Sequence, residues 1–181
     1  MSAAMVCCSL ALAVTPTPRA QAGNADLVVT ANSQTDANRL LDDLRDFNRE
    51  LDRTWFRGQL SQSPKSKTLI RFEETADPES AETRILGRGG TPSFFVIVRT
   101  EGIATAKHGL RHELTHVALI RLFGEDLPIW LQEGLASRFD SEKSKQIRRD
   151  IRRDWARYHE WPSIQRVLAA KEIDAYDQTS Y

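Results

Sequence analysis

Cysteine is missing from the whole chain after Cys8, and the only two, Cys7 and Cys8, stand side by side near the start. A disulfide scaffold and a thiolate metal site are therefore excluded for everything downstream. Charge of one sign is lacking too, since 25 Lys+Arg balance 25 Asp+Glu. Proteins that track phosphate backbones carry a basic excess, so no nucleic-acid partner is expected. The clearest apolar run, Met5 to Val14, is well short of the ~20 residues a membrane-spanning helix needs. Repeats and low-complexity tracts are absent. What is present, 181 residues of which 40% are hydrophobic, suffices for one domain with a real core.

The Met5–Val14 run is followed by Thr15-Pro-Thr-Pro-Arg-Ala-Gln-Ala22, and Ala20-Gln21-Ala22 has the small-x-small pattern of a signal-peptidase site. The pattern predicts a signal peptide over residues 1–22 and an exported protein, periplasmic or secreted, although Met1-Ser-Ala-Ala supplies no basic n-region. One domain would remain, residues 23–181, with no cysteine and no stable membrane span. Its metal ligands, if any, must be His, Asp or Glu.

Hydrophobic spacing outlines the rest. Leu27-Val-Val-Thr30 reads as a strand. From Thr35 to Asp52 the residues Ala37, Leu40, Leu41, Leu44, Phe47 and Leu51 form the stripe of an amphipathic helix, capped by Ser33 or Thr35. Lys67–Phe72 alternates as a strand, Glu73–Glu82 is polar and acidic and is expected to be a loop, and Phe94–Val98 reads as a strand in the core or at the edge of a sheet. As an edge it could dock a peptide by strand addition. A helix from about Ala104 to Phe123 is apolar on nearly every side of its second half, so it is expected to be buried. Another runs from Leu127-Pro128 to about Phe139. A third, Ser141–Tyr158, carries Lys143, Lys145, Arg148, Arg149, Arg152, Arg153 and Arg157 against Glu142, Asp150 and Asp154; it reads as a solvated face, with an acidic partner as the alternative. A short helix follows from Trp161-Pro162 to Ala170.

The chemistry lies in the buried helix, at His112-Glu113-Leu-Thr-His116. Four residues are a little more than one turn, so both imidazoles face one side and can grip one ion. Glu113 projects beside them, where its carboxylate can reach a water without ligating the metal. Glu133, on the next helix in Leu127-Pro-Ile-Trp-Leu-Gln-Glu-Gly-Leu-Ala136, is the candidate third ligand. Two histidines and a glutamate leave a coordination position open, as in catalytic zinc sites. Gly134 suggests a close approach of two helices. His108, one turn before His112, is expected to be hydrogen-bonded in a structural role, and His159 to lie on the surface.

H-E-x-x-H followed by a W-L-x-E-G-L-A helix resembles the gluzincin metallopeptidases, and more narrowly the peptidase-MA-like domains of exported bacterial proteins. The resemblance covers roughly residues 69–181. It implies an α+β, zincin-like fold: a small twisted β-sheet packed on a buried active-site helix, with a mainly helical C-terminal part. It implies Zn2+ held by His112, His116 and Glu133, Glu113 as general base, Trp130 and Leu131 seating the second helix, and a peptide or protein substrate lying along the sheet edge. Many gluzincins place an aspartate one turn after the glutamate ligand, and here that slot holds Ser137. Related domains continue beyond a Tyr-x-x-x-x-Tyr region, here Tyr176 to Tyr181, which implies a domain that ends early; Tyr181 is a candidate for assisting the oxyanion. The resulting expectation is an exported zinc-dependent metallopeptidase. The alternatives are a catalytically silent peptidase-like domain that binds metal or a partner, and a peptide- or envelope-binding module using the Arg-rich helix.

Overall fold

The computed structural model describes residues 19–169 apart from 64, 77–79 and 88–90. The chain is α+β, with one five-stranded mixed sheet and six helices among the described residues. Strands β1 (Ala20–Gly23), β2 (Leu27–Ala31), β3 (Thr68–Glu74), β4 (Ser80–Leu86) and β5 (Ser93–Thr100) line up in the order β1-β2-β3-β5-β4. The central pairs β2–β3 and β3–β5 are parallel, and the outer strands β1 and β4 are antiparallel to their neighbours. The boundary after Ala22 falls inside β1, so cleavage there would remove most of that strand and leave β2 at the sheet edge.

One expectation is corrected, and of the two placements open for Phe94–Val98 the core one holds. Glu73–Glu82 is not a loop throughout: β3 runs on to Glu74 and β4 begins at Ser80. Phe94–Val98 is not an edge strand, because β5 pairs with β3 on one side and β4 on the other. The edges of the sheet are β1 and β4, and β4 is the one beside the helix Ile103–Phe123.

Helix α1 (Gln34–Leu51) forms where expected, and Ser33 caps it: the Ser33 Oγ accepts from the Asp36 backbone N–H at 3.1 Å and donates to the Asp36 carboxylate at 2.7 Å. All six residues of its predicted stripe are buried. A single turn of π-helix, Asp52–Phe56, and the short α2 (Gln59–Gln62) follow; Asp52 bridges them by accepting from the Leu60 and Ser61 amides at 2.8 and 3.0 Å.

Helix α3 (Ile103–Phe123) packs with α1 on one face of the sheet. The core between these layers takes Val29 and Ala31 from β2, Ile70 and Phe72 from β3, Phe94, Val96 and Val98 from β5, the α1 stripe, and Leu110, Leu114, Val117, Ala118 and Leu119 from α3. Each of these strands sends every second residue into it, as the pleat requires. Helices α4 (Ile129–Ala136), α5 (Glu142–Tyr158) and α6 (Ile164–Ala169) complete the chain, with a 3-10 turn at Ser137–Phe139 after α4. The α4 helix is thus shorter at both ends than expected, and α6 starts two residues after Pro162. None of the described helices is long and apolar enough to cross a membrane.

The sheet face turned away from α1 and α3 carries a cross-strand ion network. Glu73 meets Arg71 at 2.7 Å, Arg99 at 2.8 Å and Arg19 at 3.3 Å, and Arg99 also reaches Glu82 at 3.4 Å. Partial burial of Glu73 opposes its charge, but Arg71, Arg19 and Arg99 outweigh it and hold the carboxyl below its ordinary value of 4.5. A carboxylate with a lowered pKa stabilises the fold above its unfolded pKa and loses that contribution as pH falls. Glu73→Gln is therefore expected to cost about 1 kcal/mol near neutral pH, with the gap to wild type closing as pH drops through 4.5 and below; denaturant titrations across pH measure it.

Candidate metal centre

Helix α3 brings two imidazoles to the open side of the core, and α4 turns back to meet them. The reversal is made by Gly124, whose left-handed φ of 80° ends α3, and by Pro128, which precedes the first residue of α4. Leu127, Leu135 and Phe139 pack against the core, with Ala136 fully buried, and the buried Gln132 side chain donates to the Leu127 carbonyl at 2.7 Å. These residues seat α4; Trp130 and Leu131, half-buried like Leu127, Leu135 and Phe139, are not among the residues packed against the core. Gly134 is exposed, and a Cβ there would meet nothing within 4 Å, so the expected close helix approach is absent.

The seating brings His112, His116 and Glu133 together. The two Nε2 atoms are 3.2 Å apart; Glu133 Oε2 lies 3.4 Å from His112 Nε2, and Oε1 lies 3.3 Å from His116 Nε2. Donors bound tetrahedrally at about 2.0–2.1 Å stand about 3.3 Å from one another, so the set fits one zinc-sized ion. The chemistry of the set agrees, two imidazoles and one carboxylate.

His112 is oriented from behind. Its Nδ1 lies 2.7 Å from Asp140 Oδ1, which leaves Nε2 turned to the Glu133 side, and Asp140 Oδ2 in turn pairs with Arg148 of α5. Burial alone would lower the His112 pKa, but the Asp140 and Glu133 carboxylates push it up to about 10. Glu133 moves the other way: burial works against its charge, yet hydrogen bonds from His112 and His116 hold it down to about 2. Asp140 is also lowered, by His112 and Arg148 against the cost of burial. The pocket therefore keeps its carboxylates ionised and favours a positive occupant.

Glu113 stands apart from this triad. It is buried, at 7% exposure, and its Oε2 accepts from the Thr83 hydroxyl of β4 at 2.5 Å. An open cleft of about 480 Å³ joins these groups, with β4 on one side, α3 as the floor, and α4 and the start of α5 on the other. His108 lines the same cleft but belongs to a separate contact, its Nδ1 lying 3.2 Å from the Phe139 carbonyl. His159 is exposed at the end of α5. Tyr176 and Tyr181 lie outside the described residues.

Sequence reasoning missed Asp140 and Thr83. Ser137, in the slot the resemblance reserves for an aspartate, only donates to the Gly134 carbonyl at 3.1 Å. The orienting carboxylate comes instead from Asp140, beyond the 3-10 turn. Thr83 had no signal of its own, since the strand that carries it was not expected. Comparison with models of known families, with curated proteins and with solved structures finds no match for this chain.

If Asp140 orients His112, Asp140→Asn should weaken zinc binding by about 10–100-fold, while Ser137→Ala leaves it unchanged; competition with a chromophoric chelator measures both.

Proposed function

We propose that this chain is an exported zinc metallopeptidase of gluzincin type, hydrolysing peptide bonds with Glu113 as general base. The observation that carries the reading is the convergence of His112, His116 and Glu133 within 3.2–3.4 Å, with a second carboxylate, Glu113, outside the cluster and hydrogen-bonded by Thr83. A structural site would close its coordination with a fourth protein ligand, and among the described residues the cluster stops at three. A zincin-like fold is supported by the mixed sheet whose antiparallel edge strand runs beside the motif helix. Export is supported by the Met5–Val14 run and Ala20-Gln21-Ala22.

Bound zinc supplies a Lewis acid that acidifies water and polarises a carbonyl. The protein does the rest. With Oε2 tied to Thr83, Glu113 has Oε1 available to take the proton of an attacking water, and then returns that proton to the departing amine nitrogen. Asp140 keeps the His112 ring in one orientation through the cycle, so the ligand geometry is set before substrate arrives. Among the described residues the outer edge of β4 is not paired with another strand, and Ala81, Glu82 and Thr83 of this strand line the cleft. An extended peptide can add there as a further strand, which positions a scissile bond by backbone contacts alone.

The test is to purify the protein, measure zinc, and assay a peptide library. Wild type should bind one zinc and cleave; Glu113→Gln should keep the zinc and lose about 10³-fold or more in rate; His116→Ala should lose both. Stoichiometric zinc with no cleavage by wild type would replace this reading with a silent, metal-binding peptidase-like domain. Absence of zinc from wild type would remove the metal assignment.

A further inference from the structure

Helix α5 has an amphipathic pattern but no buried residue. At about 100° per residue, Ile147, Ile151, Trp155 and Tyr158 fall in one stripe roughly 80° wide. In most helices such a stripe is covered by the core. Here Ile147 is 49% exposed and Tyr158 62%. The apolar surface continues past the helix end: Trp161, whose ring meets Trp155 edge-on at 5.7 Å, is 55% exposed, and Ile164 and Leu168 of α6, one turn apart, are 62% and 54% exposed. Of the seven large hydrophobic residues exposed in the described part of the chain, five lie in this one segment. A concentration of that kind marks a contact surface.

Charge identifies what the surface meets. The chain is neutral overall, yet α5 holds seven Lys and Arg against three acids. Some of those cations are used internally: Arg148 pairs with Asp140, Lys145 with Glu142 and Arg153 with Asp150. Lys143, Arg152 and Arg157 have no ion-pair partner among the described residues. At about 100° per residue Lys143 and Arg157 project about 40° and about 80° beyond the Ile147 side of the stripe, alternating with Asp154 and Asp150. Arg152 projects about 60° beyond the Trp155 side, next to Arg148, so cations flank the stripe on both sides and outnumber the acids. A second copy of the same face would bring two basic stripes together and be repelled. A basic helix with Ile, Trp and Tyr on its apolar side has the composition that settles in the plane of a membrane interface, with the rings at headgroup depth and the cations against lipid phosphates.

We propose that α5 and α6 form a docking surface for an anionic lipid bilayer, on which the protein lies peripherally. The N-terminal end of α5 also lines the catalytic-site cleft through Ser144 and Arg148, so docking would hold that cleft close to the bilayer and to extended segments emerging from it.

Vesicle flotation of the full, zinc-loaded chain tests this. Binding to phosphatidylglycerol–phosphatidylcholine vesicles should exceed binding to phosphatidylcholine alone, should fall as salt is raised, and should shift tryptophan emission to the blue. Lys143→Glu with Arg157→Glu should weaken binding about ten-fold or more. Ile164→Ser with Leu168→Ser should weaken it by a similar factor at every salt concentration. All four positions are exposed, and circular dichroism together with zinc content checks that each variant is folded. His116→Ala should dock as wild type does, which separates this result from the fate of the peptidase reading. Equal binding to neutral vesicles, or no binding to either, would overturn the proposal. So would a dimer, detected by light scattering, that Ile164→Ser with Leu168→Ser dissociates while vesicle binding is absent.

Discussion

A helix that is buried on nearly all sides cannot carry polar side chains without partners, and α3 carries three buried ones within a single turn: Glu113, Thr115 and His116. Desolvating each without a hydrogen bond would cost on the order of 1–3 kcal/mol, and more for an ionised group. Thr115 is satisfied within its own helix, donating to the Arg111 carbonyl at 2.8 Å. The other two need groups from elsewhere in the fold. Glu113 takes the Thr83 hydroxyl, which requires β4 to lie beside α3, and His116 faces the Glu133 carboxylate, which requires α4 to fold back after Gly124. The placement of the outer strand and of the second helix follows from the need to partner these polar atoms as much as from apolar packing.

The same logic extends one step further out, to Asp140. Its position depends on its neighbour Phe139, whose ring stands edge-on to Phe47 of α1 at 4.9 Å and tilted against Trp55 at 5.5 Å. Phe139 is therefore an anchor that binds the segment after α4 to the first helix, and Asp140 is carried to His112 as a result. Arg148 then fixes the far oxygen of Asp140 from α5. A site with ligands on two helices thus draws on α1, β4, the π-turn and α5 as well.

How much of this was legible in the sequence follows from the range of the interactions. The His112, Glu113 and His116 pattern depends only on the period of one helix, and Glu133 sits on the next, so the cluster could be read from residue types and spacing. The stripe of α1 and its Ser33 cap are local in the same sense. Strand β4 was not legible. Ser80-Ala-Glu-Thr-Arg-Ile-Leu86 alternates small or apolar residues facing α3 with Glu82 and Arg84 facing away, and the charged half, read next to an acidic stretch, resembled a loop. Asp140 was hidden for a different reason. The 3-10 turn shifts it off the α4 register, and only the tertiary contact of Phe139 brings it to the histidine. Gly134 misled in the opposite direction, because its exposed place on α4 needs no glycine at all.

The ion network of Glu73, Arg71, Arg99 and Glu82 bears on the behaviour of the protein in crowded solution. These charges are interleaved with Val28, Leu69 and Phe95, residues that would otherwise offer a flat apolar surface to another molecule. Two sheets could stack through that face only by stripping water from several ionised groups at once, at a cost that scattered apolar contacts cannot offset. The network thus guards against sheet-to-sheet aggregation through this face, independently of the outer edge of β4, which is unpaired among the described residues.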